Sequence, residues 1–245
     1  MPVDVSIRFY EELNDFIPKR FRKKTIHHRL LTHTSVRDVI ESFGVPHTEV
    51  DLVLVNGESA GFEHTLSSGD RVSVYPVFET LDISSLTRLR DTSLRTARFI
   101  LDVHLGKLAR LLRMYGFDSS YRNDYTDPEI IQIALDEQRI ILTRDVGILK
   151  NKKVTRGYYV RSQQPHEQLT EVLHRFDLHS QVNPLSRCMV CNGNIVSVSK
   201  EEIIHLLKPN TRSCYTEFYR CTGCNKIYWE GSHYQKMMER FNPET

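Results

Sequence analysis

Arg98-Phe99-Ile100-Leu101-Asp102 and Arg139-Ile140-Ile141-Leu142-Thr143-Arg144-Asp145 decide how this chain reads. Each is a short apolar run that closes on an aspartate. Between them, Phe117-Asp118-Ser119-Ser120-Tyr121 is a weaker strand signal that runs toward Asp124. Two amphipathic segments of helix length separate the three, so the strands are expected to lie parallel in one sheet. Open parallel sheets bind ligands outside the carboxyl ends of their strands. Asp102, Asp124 and Asp145 are therefore expected around one cleft. Clustered carboxylates repel, and a hard divalent cation with oxygen ligands, Mg2+ or Mn2+, relieves that repulsion. Such a cation held on aspartates suits phosphodiester hydrolysis. One aspartate after a strand is commonly only an N-cap or a turn residue. The repeated strand-then-Asp phasing is what points to a site.

Working outward, residues 105–114 carry an apolar stripe at Leu105, Leu108, Ala109 and Leu112. Lys107, Arg110 and Arg113 fall on the other side, where they are expected to face solvent or phosphates. Thr126-Asp127-Pro128-Glu129 has the spacing of a capping box with proline in the first turn. A fourth strand over 157–160 precedes a helix over 166–176, whose core face is Leu169, Val172, Leu173 and Phe176.

Residues 3–79 read as a small β-rich unit. Val3-Asp4-Val5-Ser6-Ile7-Arg8-Phe9 alternates with period two. Val36, Val39, Ile40 and Phe43 have helical spacing ahead of Gly44, a helix stop. Leu52-Val53-Leu54-Val55 leads into the hairpin signal Asn56-Gly57, and Arg71-Val72-Ser73-Val74-Tyr75 follows the turn at Ser68-Gly69-Asp70. The order strand, strand, helix, strand, strand suggests a β-grasp fold. Residues 80–97 read as a linker with a short helix at 86–94.

Cys188-Met189-Val190-Cys191 and Cys221-Thr222-Gly223-Cys224 form two CxxC pairs. Each such turn presents two thiolates on one side, and four suit a closed, structural Zn2+ site. The 29 residues between the pairs leave room for a helix, for which Glu201-Glu202-Ile203-Ile204-His205-Leu206-Leu207 is the candidate. Cys214 has no CxxC partner and reads as a spare thiol. Five cysteines, an odd number, argue against a disulfide framework. With no basic-then-apolar leader at Met1-Pro2-Val3-Asp4 and no membrane-length apolar run, the expected location is cytoplasmic, away from membranes.

A net charge of +2 says little about partners, but local charge says more. Lys19-Arg20-Phe21-Arg22-Lys23-Lys24 is a basic run. Arg88, Arg90, Arg95 and Arg98 crowd another stretch, and Lys150, Lys152, Lys153 and Arg156 follow the third aspartate. Basic clusters near an acidic cleft are what a polyanionic substrate requires.

The first unit resembles the ubiquitin-like domain of sulfur-carrier proteins, and more closely the one that precedes Mut7-C proteins. Phe9-Tyr10-Glu11-Glu12-Leu13, Pro46-His47-Thr48-Glu49-Val50, Val55-Asn56-Gly57 and Gly69-Asp70-Arg71-Val72-Ser73-Val74-Tyr75-Pro76 carry the likeness. A sulfur carrier needs a free Gly-Gly end, whereas this unit runs on through Pro76-Val77-Phe78-Glu79. A docking or substrate-binding role for it is therefore expected instead. The span from Phe99 onward resembles the Mut7-C RNase family, a branch of PIN-like nucleases fused to a zinc ribbon. Its carrying residues are Phe99-Ile100-Leu101-Asp102, Leu105-Gly106-Lys107-Leu108-Ala109-Arg110, Arg113, Gly116-Phe117-Asp118, Asp124, Ile141-Leu142-Thr143-Arg144-Asp145, the CxxC pairs and Trp229-Glu230-Gly231-Ser232-His233.

The resemblance implies an α/β chain of a β-grasp domain (1–79), a linker (80–97), a PIN-like parallel-sheet domain (98–182) and a zinc ribbon (183–245). It implies a metal-dependent ribonuclease in which Asp102, Asp124 and Asp145 bind Mg2+ or Mn2+, with the Thr143 hydroxyl beside the metal or its water. Asp127, Glu129 and Glu217 are candidates for a fourth acid. Lys107, Arg110, Arg113 and Arg144 are expected to contact RNA, single-stranded or structured, and His233 to join them if the ribbon folds over the cleft. The β-grasp domain is a candidate surface for a protein partner. The rival reading is a nucleic-acid-binding adaptor with a degenerate acid cluster.

Overall fold

A computed structural model describes residues 2–76, 89, 97–232, 234, 235 and 239. Of the expected linker and its helix, only Leu89 and Ala97 fall among these residues.

The first unit has five strands, β1 (Val3–Phe9), β2 (Ile26–Leu30), β3 (Val50–Val55), β4 (Glu58–Ser59) and β5 (Arg71–Pro76), in the order β2-β1-β5-β3-β4. β1 runs parallel to β5, and the other neighbours are antiparallel. Val3, Val5, Ile7 and Phe9 turn inward in β1, as their period-two spacing dictates. They meet Val36, Val39 and Ile40 of α1 (Val36–Ser42), whose N-terminus is capped by the Ser35 side chain accepting from the Asp38 amide. Asn56 and Gly57 both have positive φ, which is why that dipeptide makes the β3–β4 hairpin. This is the β-grasp arrangement.

The second unit alternates strand and helix: β6 (Phe99–Leu101), α2 (Gly106–Met114), β7 (Ser119–Ser120), α3 (Asp127–Asp136), β8 (Ile140–Thr143), α4 (Val146–Leu149), β9 (Gly157–Tyr159) and α5 (Pro165–Arg175). All four strands are parallel, in the order β7-β6-β8-β9. Phe99 and Leu101 face α2 and α5, and Ile100 faces α3 and α4, so both sides of the sheet are covered. The chain leaves β6 toward β7 on one side and returns to β8 on the other. The reversal opens a crevice at the carboxyl ends of β6 and β8.

The third unit is an antiparallel sheet of β10 (Ile195–Val198), β11 (Phe218–Cys221) and β12 (Ile227–Tyr228), with α6 (Lys200–Ile203) and α7 (Pro209–Cys214) between β10 and β11. α6 and a 3-10 turn at Ile204–Leu206 occupy the segment expected to be helical. Val198, Ile203, Leu207 and Phe218 make a small core against which Trp229 packs.

The units are joined by buried polar contacts. Asp118 accepts from Arg139 at 2.6 Å and from Asn192 at 2.7 Å, with Arg98 and Arg187 at 3.3 and 3.6 Å. Burial alone would raise this carboxyl, but the Arg139 and Asn192 hydrogen bonds, with Arg187 beside them, hold it below the ordinary carboxylate range. The amide of Ser119 donates to Asn192. Asp118 and Ser119 open β7, so the ribbon docks at the amino end of the sheet, away from the crevice. The expectation that the ribbon folds over the cleft gains no support from these contacts, and His233 lies outside the described residues.

The β-grasp unit docks along β9. Glu49, 2% exposed, accepts from the Tyr159 amide at 2.6 Å and pairs with Arg161 at 2.9 Å. Burial works against the Arg161 charge, but Glu49 outweighs it and raises its pKa. His47 spans Glu41 (2.6 Å) and the Val154 carbonyl (2.7 Å). Phe16 meets Tyr159 edge to face, and Asp15 pairs with Arg161 at 3.6 Å.

Candidate active site and metal centre

Asp102 follows β6 directly, is 4% exposed, and accepts from the Val103 amide at 2.6 Å. Its other carboxylate oxygen accepts from the Thr143 hydroxyl at 2.8 Å. The same hydroxyl accepts from the Asp145 amide at 2.8 Å. Thr143 is fully buried at the end of β8 and so ties the two strand ends together across the crevice. Asp145, exposed, caps α4 by accepting from the Gly147 amide at 2.6 Å. The N-cap reading of the aspartates is thus true of Asp102 and Asp145. It leaves part of each carboxylate for other work, since each has about four acceptor positions.

The third expected acid, Asp124, does not join Asp102 and Asp145 in this network. Asp124 is exposed and turned to Arg122, at 2.7 Å, and that hydrogen bond lowers its pKa. β7 ends at Ser120, so Asp124 sits within the following loop and not at a strand end. Asp127 is the first residue of α3 and is exposed. Partial burial, with the negative charges of Asp145 and Asp102, raises its carboxyl above the ordinary range. Glu129 is spent on the cap: it accepts from the Thr126 amide and hydroxyl at 2.8 and 2.7 Å. Asp127, a candidate fourth acid, stands beside the α3 N-cap Thr126.

The cations divide as well. Lys107 and Arg110 are exposed on α2, which begins just after Asp102. Arg144 is half-buried and donates to the carbonyls of Arg161 and Ser162. Arg113, expected at an RNA face, is instead 5% exposed. Its guanidinium donates to the carbonyls of Ser119 (2.8 Å), Val190 (3.0 Å) and Met189 (3.4 Å), the last two inside the first CxxC turn. Burial lowers its pKa, and the neighbouring Cys188 and Cys191 oppose that. It braces the cysteine turn. At the end of a nine-residue helix its position is too near the apolar stripe to stay wet.

Cys188, Cys191, Cys221 and Cys224 bring their sulfurs within 4.8 Å of one another. Among the described residues they are the one group of His, Cys, Asp or Glu side chains drawn together closely enough to hold a metal ion. Cys188 is held down at about 6 despite its burial, because the amides of Cys191 and Val190 and the Tyr228 hydroxyl, 3.0 Å away, point at its sulfur. Gly223 and Cys224 direct their amides at Cys221 (3.3 and 3.4 Å). Four sulfurs with N–H support fit Zn2+ in a closed, structural site. Cys214 lies outside the cluster at the end of α7.

The chain thus joins a β-grasp unit, a parallel α/β unit with Asp102 and Asp145 after its strands, and a four-cysteine ribbon. Residues 97–241 match the family model described as the Mut7-C RNAse domain, and residues 2–82 match that described as Mut7-C ubiquitin. The chain belongs to the Mut7-C RNAse domain family, with its ubiquitin-like domain in front. Two solved structures are similar to part of it. The crystal structure of H. volcanii small archaeal modifier protein 1 shares 16% identity over 31% of this chain and 99% of its own, with a TM-score of 0.26. The solution structure of the Haloferax volcanii HVO 2177 protein shares 25% identity over 31% of this chain and 83% of its own, with a TM-score of 0.24. No curated protein matches the chain. No described helix is long and apolar enough to cross a membrane.

Proposed function

We propose that this protein is a metal-dependent ribonuclease whose acid site is Asp102, Asp127 and Asp145, with Thr143 as the residue that positions two of them. The observation that carries the reading is the Thr143 hydroxyl, which joins the Asp102 carboxylate to the Asp145 backbone at the carboxyl ends of β6 and β8. The donor set is all oxygen, as Mg2+ or Mn2+ prefers, and the acids would have to close on the ion, since they do not converge as the four cysteines do. Such a cation, when bound, lowers the pKa of a water and offsets charge on the phosphate under attack.

The chain's own residues supply the rest. Asp102, buried and locked by two hydrogen bonds, presents a fixed carboxylate. Asp145, tied to it through Thr143, and Asp127 are more exposed. Lys107 and Arg110 stand beside the crevice and would attract the phosphodiester backbone. Zinc in the four-cysteine site would hold the ribbon, which Arg113 and Asp118 fasten to the nuclease unit. Cleavage of a labelled RNA by the full chain in Mn2+ or Mg2+, against EDTA and against Asp145→Asn, tests the reading. Full cleavage by Asp145→Asn, free of contaminating nuclease, would return weight to the adaptor reading.

A further inference from the structure

The β-grasp unit is held against the nuclease unit at the crevice end of the sheet. Asp15 and Phe16 contact Arg161 and Tyr159, and Arg144, next to Asp145, donates to the Arg161 carbonyl. Asp15, Phe16 and Gly44 from one unit and Val146, Lys150 and Tyr159 from the other line a shared cleft of about 380 Å³. Val146 follows Asp145 in the chain, and Arg144 precedes it.

The basic run begins three residues after Phe16. At 3.8 Å per step, the Lys19 Cα is at most about 11 Å from that of Phe16. The loop is built, not loose. Arg22 donates to the carbonyls of Ile17 and Asp15, and Asn14 accepts from the Lys23 amide at 2.7 Å. These bonds consume Arg22. Lys19, Arg20, Lys23 and Lys24 stay exposed, and no carboxylate pairs with them among the described residues. Of the nearby acids, Asp15 pairs with Arg161 at 3.6 Å, and Glu11 is exposed.

We propose that Lys19, Arg20, Lys23 and Lys24 of the β-grasp unit form the outer part of the substrate-binding surface and hold the phosphodiester backbone of single-stranded RNA as it enters the acid site. This rests on the nuclease reading. It assigns the ubiquitin-like unit to the substrate and not to a protein partner. The buried Glu49–Arg161 pair then has a purpose: it keeps the cationic loop in register with the crevice.

The test is binding of a fluorescent, mixed-sequence single-stranded RNA to the full chain in EDTA, where cleavage does not enter. Lys19→Glu/Arg20→Glu/Lys23→Glu/Lys24→Glu should weaken binding at least tenfold at low salt. It should also flatten the dependence of log K on log salt by up to about 0.7 for each cation lost. Melting temperature serves as the check on folding. The milder Lys19→Gln/Lys24→Gln should fall between. Lys19→Glu should weaken binding more than Lys208→Glu on the ribbon, which separates a local track from net charge. An unchanged affinity and salt slope, with wild-type cleavage intact, would overturn the inference while leaving the nuclease reading in place. Loop-dependent binding without any cleavage in Mn2+ or Mg2+ would do the reverse. Loss of an acidic protein partner with RNA binding unaltered would also overturn it.

Discussion

The Thr143 hydroxyl donates to Asp102 at 2.8 Å, and both side chains are buried. An apolar isostere would leave Asp102 short of a partner in a site where its charge must be held. Thr143→Val should lower cleavage at least tenfold and shift the metal concentration needed for half-activity upward. Thr143→Ser, which keeps the hydroxyl, should restore most of both. Equal loss in the two variants would make the role one of packing.

Asp145→Asn preserves size and removes a charge. Cleavage should fall by two orders of magnitude or more, while RNA binding in EDTA should hold or tighten, since one charge that repels phosphate is gone. Single-turnover cleavage and anisotropy separate the two effects.

Asp127 and Asp124 make a contrasting pair. Asp127→Asn should cost most of the activity; Asp124→Asn should change it little. The raised Asp127 carboxyl also fixes a sign. Its ionised form is disfavoured in the fold, so its cost is absent below the ordinary carboxylate range and appears as pH rises through that range. Without metal, Asp127→Asn should therefore gain a little stability at neutral pH, offset in part by the loss of a negative charge from the first turn of α3, and gain none in acid. Urea melts at several pH values would show it. Loss of activity in the Asp124 variant alone would put the expected ligand back.

Asp118 has the opposite sign. Its carboxyl is held below the ordinary range, so its stabilisation is present above that range and fades as pH falls through its lower, folded value. Asp118→Ala takes one of two carboxylates from Arg139, 7% exposed, which keeps Glu137 at 2.6 Å, and removes the acceptor of Asn192, so it should cost about 2 kcal/mol. Limited proteolysis should then release the ribbon first.

Cys188→Ser, Cys224→Ser or removal of zinc by a chelator should unfold the ribbon, whose own core is small. Cys214→Ser should leave zinc content and melting temperature as they were. Equal damage in all three cysteine variants would mean that Cys214 belongs to the site.

Local pattern carried much of this protein. Period-two spacing in Val3–Phe9, the apolar runs before Asp102 and Asp145, the capping box at Thr126 and the CxxC pairs each act over a few residues, so each could be read without knowing the fold. What depended on distant neighbours could not. Asp124 and Asp127 are three residues apart and chemically alike. Only the fold sets one in the loop after β7, paired with Arg122, and the other in the first turn of α3. Arg113 reads as a surface cation until the ribbon arrives to offer it two carbonyls. Glu49 looks like an ordinary acid until Arg161, 112 residues later, buries it. The destination of a charge is set by which opposite charge or dipole the completed fold brings within a few ångströms, and a chain of local propensities holds no record of that.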